Sequence, residues 1–205
     1  MARRSAEVAA KTRQTIVDVA EKLFAEHGFA AVSTNAICRA AGVTDGALFH
    51  HFRSKKDLFC EIATRLHTNI HKTIYRAGLD VADPIEAFIV GARKSMEVTQ
   101  LPHNQRIVFI EGPAVLGTEK WREIDQQLGL RLIEGGLLAV AGVESLPAHV
   151  LKPMAMLALG TINEITYALI RKEAGVDPEQ CLDLLVRALH MWNNVDVKTW
   201  KESQQ

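Results

Sequence analysis

Side chains that can form hydrogen bonds are concentrated between Ser33 and Lys55, among small residues that lie on both sides of Gly42. Side chains of these types can contact base edges and phosphate oxygens in a groove of double-stranded DNA. The stretch has the pattern of two short helices joined by a tight turn, which is the helix-turn-helix form. A helical hairpin at a domain edge would give the same two helices, so the capping residues decide between the two interpretations.

The caps agree with a helix-turn-helix. Ser33 or Thr34 can cap the first helix, and Gly42 can adopt the positive φ that ends it. Thr44 can cap the second helix, while Leu48 and Phe52, four residues apart, face the core. The remaining face carries small and polar residues that fit a major groove, namely Thr44, Asp45, Ala47, His50 and His51.

Catalytic and metal chemistry have less support in the sequence. Walker, dinucleotide-binding and Gly-x-Ser-x-Gly motifs are absent. His67 and His71 have a spacing that could bind a metal with a third ligand such as His103, although surface or interdomain histidines are the simpler interpretation. The cysteines are scattered and are predicted to be small buried residues: Cys38, Cys60 and Cys181. We expect no enzymatic activity, no cofactor and no metal.

The elements that position this stretch are all predicted to be helices. A stripe of apolar residues through Ile16 and Phe24 indicates a first helix that Gly28 ends. A long helix is predicted over 55–76, followed by helices at 84–98, 104–111, 118–141, 147–175 and 177–194. The sequence therefore predicts an all-α protein.

Charge and hydropathy suit a protein that contacts DNA at one end. Residues 1–60 hold nine Lys or Arg against six acids, a charge of +3, which leaves −3 for the rest of a neutral chain. No stretch of 18 uninterrupted apolar residues and no apolar leader segment is present in the sequence. We expect a cytoplasmic location and no membrane partner.

Four groups of residues then match a known pattern without a gap: Thr12-Arg13-Gln14, Phe24 to Phe29, Ile37 to Thr44, and Phe49 to Leu58. With them, residues 10–62 resemble the N-terminal domain of TetR-type transcriptional repressors. The resemblance implies a homodimer with a three-helix DNA-binding domain and a larger helical domain that binds a small effector. The family usually has Tyr at Phe49, Lys or Arg at Asp45, and Ala at Cys38.

The resemblance also implies where DNA is bound. Lys55 is expected to hold a phosphate, and the helix-turn-helix to supply the other contacts. The predicted DNA-binding residues are Ser33, Thr34, Asn35, Thr44, Asp45, Gly46, Ala47, Phe49, His50 and Lys55. Domain boundaries are predicted at 1–54 for the DNA-binding domain and 55–205 for the effector-binding and dimerisation domain.

The last two long helices carry more apolar surface than one inward face needs, which favours a four-helix interface between two copies. The predicted interface residues are Leu157, Thr161, Ile165, Leu182, Leu185 and Leu189. An effector pocket is predicted between helices 84–98, 104–111 and 118–141 and the start of the helix that follows Pro147, lined by Met96, Phe109, Trp121, Asn163 and Tyr167. The alternative for each of these residues is a plain core position.

The sequence thus favours a ligand-responsive repressor released from a palindromic operator by a small molecule. Two alternatives stay open. One is a helical metal- or ligand-binding protein whose N-terminal domain only resembles a repressor, and the other is an adaptor that binds protein alone.

Overall fold

The computed structural model describes residues 2–141 and 146–193, with side chains described over 6–141 and 146–188. Within these ranges the chain is helical and has no strand, which confirms the predicted all-α class. The helices are α1 Ala2–His27, α2 Thr34–Ala41, α3 Asp45–His51, α4 Lys55–Gly78, α5 Pro84–Thr99, α6 Pro102–Asn104, α7 Gly112–Leu116, α8 Thr118–Asp125, α9 Arg131–Ala141, α10 Ala148–Arg171 and α11 Pro178–Asn193. Two π-helical segments, Gln105–Glu111 and Gln126–Leu130, join α6 to α7 and α8 to α9.

The predicted helices are present, with differences in detail. The helix predicted over 104–111 is mostly π-helical, and the one predicted over 118–141 contains a π turn at its centre. Helix α10 ends at Arg171 rather than at Gly175, because Lys172 adopts a left-handed conformation with φ 52° and its N–H and the next one bond back to α10 carbonyls. The Asp177 carboxylate accepts from the Glu179 and Gln180 N–H groups and begins α11 as predicted.

The chain divides into two compact units that do not follow the predicted boundary at residue 54. The first unit combines Met1–Asn69 with Leu101–Asp125, and the second combines Ile70–Gln100 with Gln126–Gln205. The division falls within α4, which continues through residue 69 to Gly78. The helix-turn-helix therefore shares its unit with the segment 101–125, which lies far along the chain.

Three phenylalanine rings pack together in the first unit. Phe24, Phe29 and Phe59 form a triangle with ring centroids 5.1–5.6 Å apart, and two of the pairs meet edge to face. Leu48 and Phe52 are buried, which confirms the predicted inner face of α3.

The core of the second unit is aliphatic and involves α5, α9, α10 and α11. Its buried members are Ala92, Ile133, Leu137, Ala155, Ala158, Ile162, Leu182 and Leu185. Helix α10 is long and apolar enough to cross a membrane by length and composition, with a mean hydropathy of 1.2. The same helix supplies three residues of this core, as core helices of soluble proteins also do.

Candidate nucleic-acid interface

Both short helices of the helix-turn-helix are capped as the sequence predicts. The Ser33 hydroxyl accepts from the Ala36 N–H at 3.1 Å, and the Thr44 hydroxyl accepts from the Ala47 N–H at 3.2 Å. Between them Gly42 adopts φ 66°, a conformation that favours glycine. These bonds fix where α2 ends and α3 begins, so the residues at the start of α3 have one defined orientation.

The start of α3 is small and accessible. Thr44, Asp45 and Gly46 are exposed, and a Cβ added to Gly46 would meet only the Thr44 hydroxyl, at 3.9 Å. Asn35 and His50 are exposed as well, while Thr34 and Ala47 are half-buried. Phe49 leaves 50% of its surface exposed, which places a bare aromatic ring beside these polar groups. This surface has room for the edges of base pairs in a major groove.

Asp45 has a partner that sequence analysis missed. The Cys38 thiol on α2 is buried, and its pKa is raised to about 11, first by burial and then by the Asp45 carboxylate on α3. Two residues that depart from the family pattern therefore interact electrostatically across the turn. The two residues are seven apart and lie on different helices, so predicting this pair would have required the geometry of the turn.

Lys55 differs from the expectation that its ammonium is available for phosphate. Its Nζ donates to the backbone carbonyl oxygens of Phe29 and Val32, both at 2.8 Å, and lies 4.2 Å from the centroid of the Phe29 ring. Two of its three N–H donors are thus used to hold the turn between α1 and α2. A phosphate contact through the third donor stays a prediction. Lys56, the next residue, is exposed.

Ion pairs join α1 to α4 beneath this surface. Arg13 forms a bidentate pair with Glu61, and its guanidinium lies 4.8 Å from the centroid of the Phe52 ring. Arg65 bonds to Asp18 at 2.8 Å and to Glu21. These contacts tie the first helix of the domain to the helix that leads out of it.

His51 stands apart from the exposed His50. The pKa of His51 is lowered by burial first, then by the neighbouring charges of His50 and Arg13. Its imidazole thus favours the neutral form, and the exposed His50 is the better placed of the two for DNA.

The predicted interface residues differ in how far they are exposed in the single chain. Ile165, Leu182 and Leu185 are buried within the second unit, which leaves little of their surface for a second copy to contact. Leu157 is 58% exposed and Thr161 is half-buried, and two residues that sequence analysis left out, Met156 and Leu184, are exposed too. Leu189 lies on α11, but its side chain falls outside the described residues.

The predicted effector residues are distributed over both units. Phe109 and Trp121 belong to the first unit, and Met96, Asn163 and Tyr167 belong to the second. Trp121 is buried: its ring packs on the Gly112 backbone, where an added Cβ would come within 2.7 Å of it. Met96 is also buried, whereas Phe109, Asn163 and Tyr167 are half-buried.

His67 has a neighbour other than the predicted His103. Its Nε2 lies 3.2 Å from an Asp125 carboxylate oxygen, and its ring meets Trp121 edge-on with centroids 5.4 Å apart. His67 is thus a buried histidine of the first unit with an acidic neighbour, while His103 is exposed.

Comparison with known families defines the class of protein. Residues 16–62 match the bacterial regulatory proteins of the tetR family, and residues 85–191 match the tetracyclin repressor-like C-terminal domain. The second match alone covers more than half of the chain. This chain belongs to the TetR family of bacterial regulatory proteins.

Particular relatives agree with this assignment. The chain is 47% identical over 70 residues to the HTH-type transcriptional regulator AcrR of Shigella flexneri, covering 34% of this chain and 33% of AcrR. It is 31% identical over 113 residues to the HTH-type transcriptional repressor KstR2 of Rhodococcus jostii, covering 48% and 55%. The matched region thus spans about a third to a half of the length of these curated relatives.

Solved structures extend the similarity to the whole fold. A TetR-family transcriptional regulator from Pectobacterium atrosepticum superposes with a TM-score of 0.65 at 27% identity, over 91% of this chain and 94% of that one. The transcriptional regulator FadR from Bacillus subtilis, in complex with stearoyl-CoA, gives a TM-score of 0.63 at 19% identity, over 86% and 96%.

Proposed function

We propose that this chain is a homodimeric transcriptional repressor that binds a palindromic operator and is released from it by a small molecule. One observation carries the proposal: the exposed start of α3 is small, capped and anchored from behind by the buried Leu48 and Phe52. A helix held in this way can enter the major groove with its first turn. Membership in a regulator family supports the same function, and it favours a binding role in the cytoplasm over catalysis.

The DNA contacts divide into two kinds. Asp45, Gly46 and Ala47 are proposed to meet base edges, and Asp45 can accept a hydrogen bond from a cytosine amino group. Ser33, Thr34, Asn35, Thr44, His50 and Lys55 are proposed to meet the backbone, with Phe49 giving apolar contact.

The dimer is proposed to form through the exposed apolar residues of α10 and α11. Met156, Leu157 and Leu184 leave large apolar side chains accessible in the single chain, and Gly160 and Thr161 lie close to Leu157 along α10. Two helices from each copy would bury this surface in a four-helix arrangement.

The effector is proposed to be a mostly apolar small molecule. On α10 of the second unit, the half-buried Tyr167 offers aromatic surface and Asn163 offers an amide. Structural relatives include a FadR with stearoyl-CoA and a RolR with resorcinol, two ligands of very different size, so the shared fold leaves the ligand open.

The experiment is selection of duplexes from a random-sequence library by the wild-type protein. We expect an inverted repeat whose half-sites lie about one helical turn, roughly 34–36 Å, apart. Affinity for the selected duplex should fall steeply with salt. A wild-type protein that enriches no duplex, or that binds one without any salt dependence, would contradict the proposal.

Two glycines supply a matched pair of variants for the same assay. Gly46→Glu puts a carboxylate at the surface that is proposed to enter the groove. Gly135→Glu makes the same change at an exposed position of α9, where nothing lies within 4 Å of an added Cβ. We expect Gly46→Glu to abolish binding to the selected duplex and Gly135→Glu to retain it. Equal affinities for the two variants would place the DNA surface elsewhere.

A further inference from the structure

The turn that connects α1 to α2 is bound by a carboxylate from the segment 101–125. The Phe29 N–H donates to both Glu111 carboxylate oxygens, at 3.0 and 2.8 Å. Gly28, the residue before it, has φ 83°, and an added Cβ there would lie 2.6 Å from Glu111 Oε1. The backbone at the end of α1 is therefore shaped to let this carboxylate approach.

The same residue is held from its other side. The Phe29 carbonyl accepts from Lys55 Nζ, which also bonds to the Val32 carbonyl, immediately before the Ser33 cap of α2. A negative side chain thus binds the N–H of residue 29, and a positive one binds its C=O. Charge-assisted bonds of this kind are stronger than neutral ones, so the turn is fixed between two opposite charges.

A second bond joins the two segments of the first unit nearby. The Arg106 guanidinium donates to the Glu26 carbonyl in the last turn of α1, at 2.7 Å. Arg106 and Glu111 both belong to the π-helical segment Gln105–Glu111. This segment thus contacts the end of α1 at two points, and the partner of Glu111, Phe29, is nearer in sequence to α2 than Glu26 is.

We propose that Glu111 is a positioning residue for operator binding, which fixes the α1–α2 turn and through it the orientation of the helix-turn-helix. The inference rests on the proposed function above. Glu111 touches no DNA in this account. It acts through the backbone of Phe29, four residues before the cap of α2.

The direction of the change in DNA affinity distinguishes a positioning role of Glu111 from a general effect of its charge. Removing a carboxylate from a protein that binds a polyanion strengthens binding when the charge acts only at a distance. Removing a positioning residue weakens binding instead. Glu119, exposed on α8 of the same unit, provides the charge-matched control.

The test measures affinity for the duplex that the wild-type protein selects, by fluorescence anisotropy over a range of salt. Glu111→Ala should weaken binding by about tenfold, the order expected for loss of a hydrogen bond to a charged group. The slope of log affinity against log salt should stay at the wild-type value, because no phosphate contact is lost. Glu119→Ala should bind as tightly as the wild type or slightly more tightly.

Conservative variants test the hydrogen bond itself. Glu111→Gln keeps an oxygen that can accept from Phe29, so it should recover most of the affinity. Glu111→Asp keeps the charge but withdraws it by one methylene, so it should bind more weakly than Glu111→Gln. Hydrogen exchange at the Phe29 amide should quicken in Glu111→Ala and stay close to wild type in Glu111→Gln.

Several outcomes would overturn the inference. Wild-type affinity in Glu111→Ala would exclude a positioning role, and equal losses in the Ala and Gln variants would show that the hydrogen bond accepted from Phe29 does not set the affinity. A wild-type protein that selects no duplex would overturn the proposed function, whereas a normal selection with an indifferent Glu111 would overturn this inference alone.

Discussion

In the first unit the exposed residues of α3 differ in polarity from its buried ones, whereas in the second unit the buried and exposed residues of α10 are both apolar. On α3 of the first unit, Leu48 is fully buried, and the residues around it are mostly polar or small and exposed. On α10 of the second unit, buried Ala155, exposed Leu157 and half-buried Leu159 are all apolar and follow one another within five residues. Apolar spacing therefore locates the inner face of α3 but does not distinguish the faces of α10.

The difference shows what spacing can and cannot convey. Where polar residues fill the rest of a helix, an apolar stripe marks the core. Where a helix packs in its own chain and also presents apolar surface outward, both faces have the same composition. Leu185 and Leu157 were predicted for the same interface, yet the first is 7% exposed and the second 58%.

The largest expected effect comes from placing a charge at a buried position of the second unit. Leu185→Glu would bury a carboxylate among aliphatic residues of the second unit, and we expect it to lower the free energy of unfolding by about 4 kcal/mol or more. Urea unfolding followed by circular dichroism measures this. A variant with wild-type stability would mean that Leu185 is on the surface after all.

Charging the exposed side should leave folding intact and affect association. Leu157→Glu would place a charge on each side of the proposed interface, and we expect its dimerisation to weaken by about 2–3 kcal/mol, roughly a hundredfold in Kd. Sedimentation should then show monomers at concentrations where the wild type is dimeric. Unchanged sedimentation in a stably folded Leu157→Glu would move the interface away from α10.

The adjacent lysines of α4 sharpen the comparison within the first unit. Lys55→Ala removes two bonds to backbone carbonyls, so we expect it to cost about 2 kcal/mol of stability. Lys56→Ala changes an exposed side chain and should leave stability within about 0.5 kcal/mol of wild type.

Salt titration of DNA binding then tests which lysine contacts phosphate. Each lost phosphate contact lowers the slope of log affinity against log salt by about one unit. A lower slope in Lys56→Ala alone would assign the phosphate contact to Lys56 and leave Lys55 with the turn. A lower slope in Lys55→Ala would support the contact implied by the family resemblance.

The last effect concerns Cys38 and appears only at high pH. Because the pKa of Cys38 is raised from 9.0 to about 11 in the folded chain, the unfolded chain loses this proton first as the pH rises. Its contribution to stability is complete below pH 9 and is lost as the pH approaches 11, by at most about 1.4 kcal/mol per pH unit. Cys38→Ala should flatten that part of the stability profile, and a profile identical to wild type would argue against a raised Cys38 pKa.

The fold and the helix-turn-helix were largely predictable from the sequence. Ser33, Gly42 and Thr44 act on their immediate neighbours, so their residue types are sufficient to place the caps and the turn. Contacts between distant residues were not predictable. Glu111 and Phe29 are 82 residues apart, and nothing in either local sequence indicates the other.

The partners of Lys55 were not predictable from the sequence either. A lysine at the start of a helix beside a DNA-binding motif has the residue type of a phosphate ligand. Its length and flexibility also let it reach the carbonyl oxygens of Phe29 and Val32, 26 and 23 residues earlier. Which of these acceptors it uses depends on how α1, the turn and α4 are packed.

The π-helical segment Gln105–Glu111 has a consequence for how related genes can vary in length. A π turn accommodates one residue more than an α turn, so it is the place where a helix absorbs an insertion without shifting the rest. Deleting one codon there would restore the α-helical pitch inside the segment, while the helices on either side would keep their orientation. Only the residues within the segment would change the direction they face, so a shorter relative could keep this fold and lose the contact with the end of the first helix.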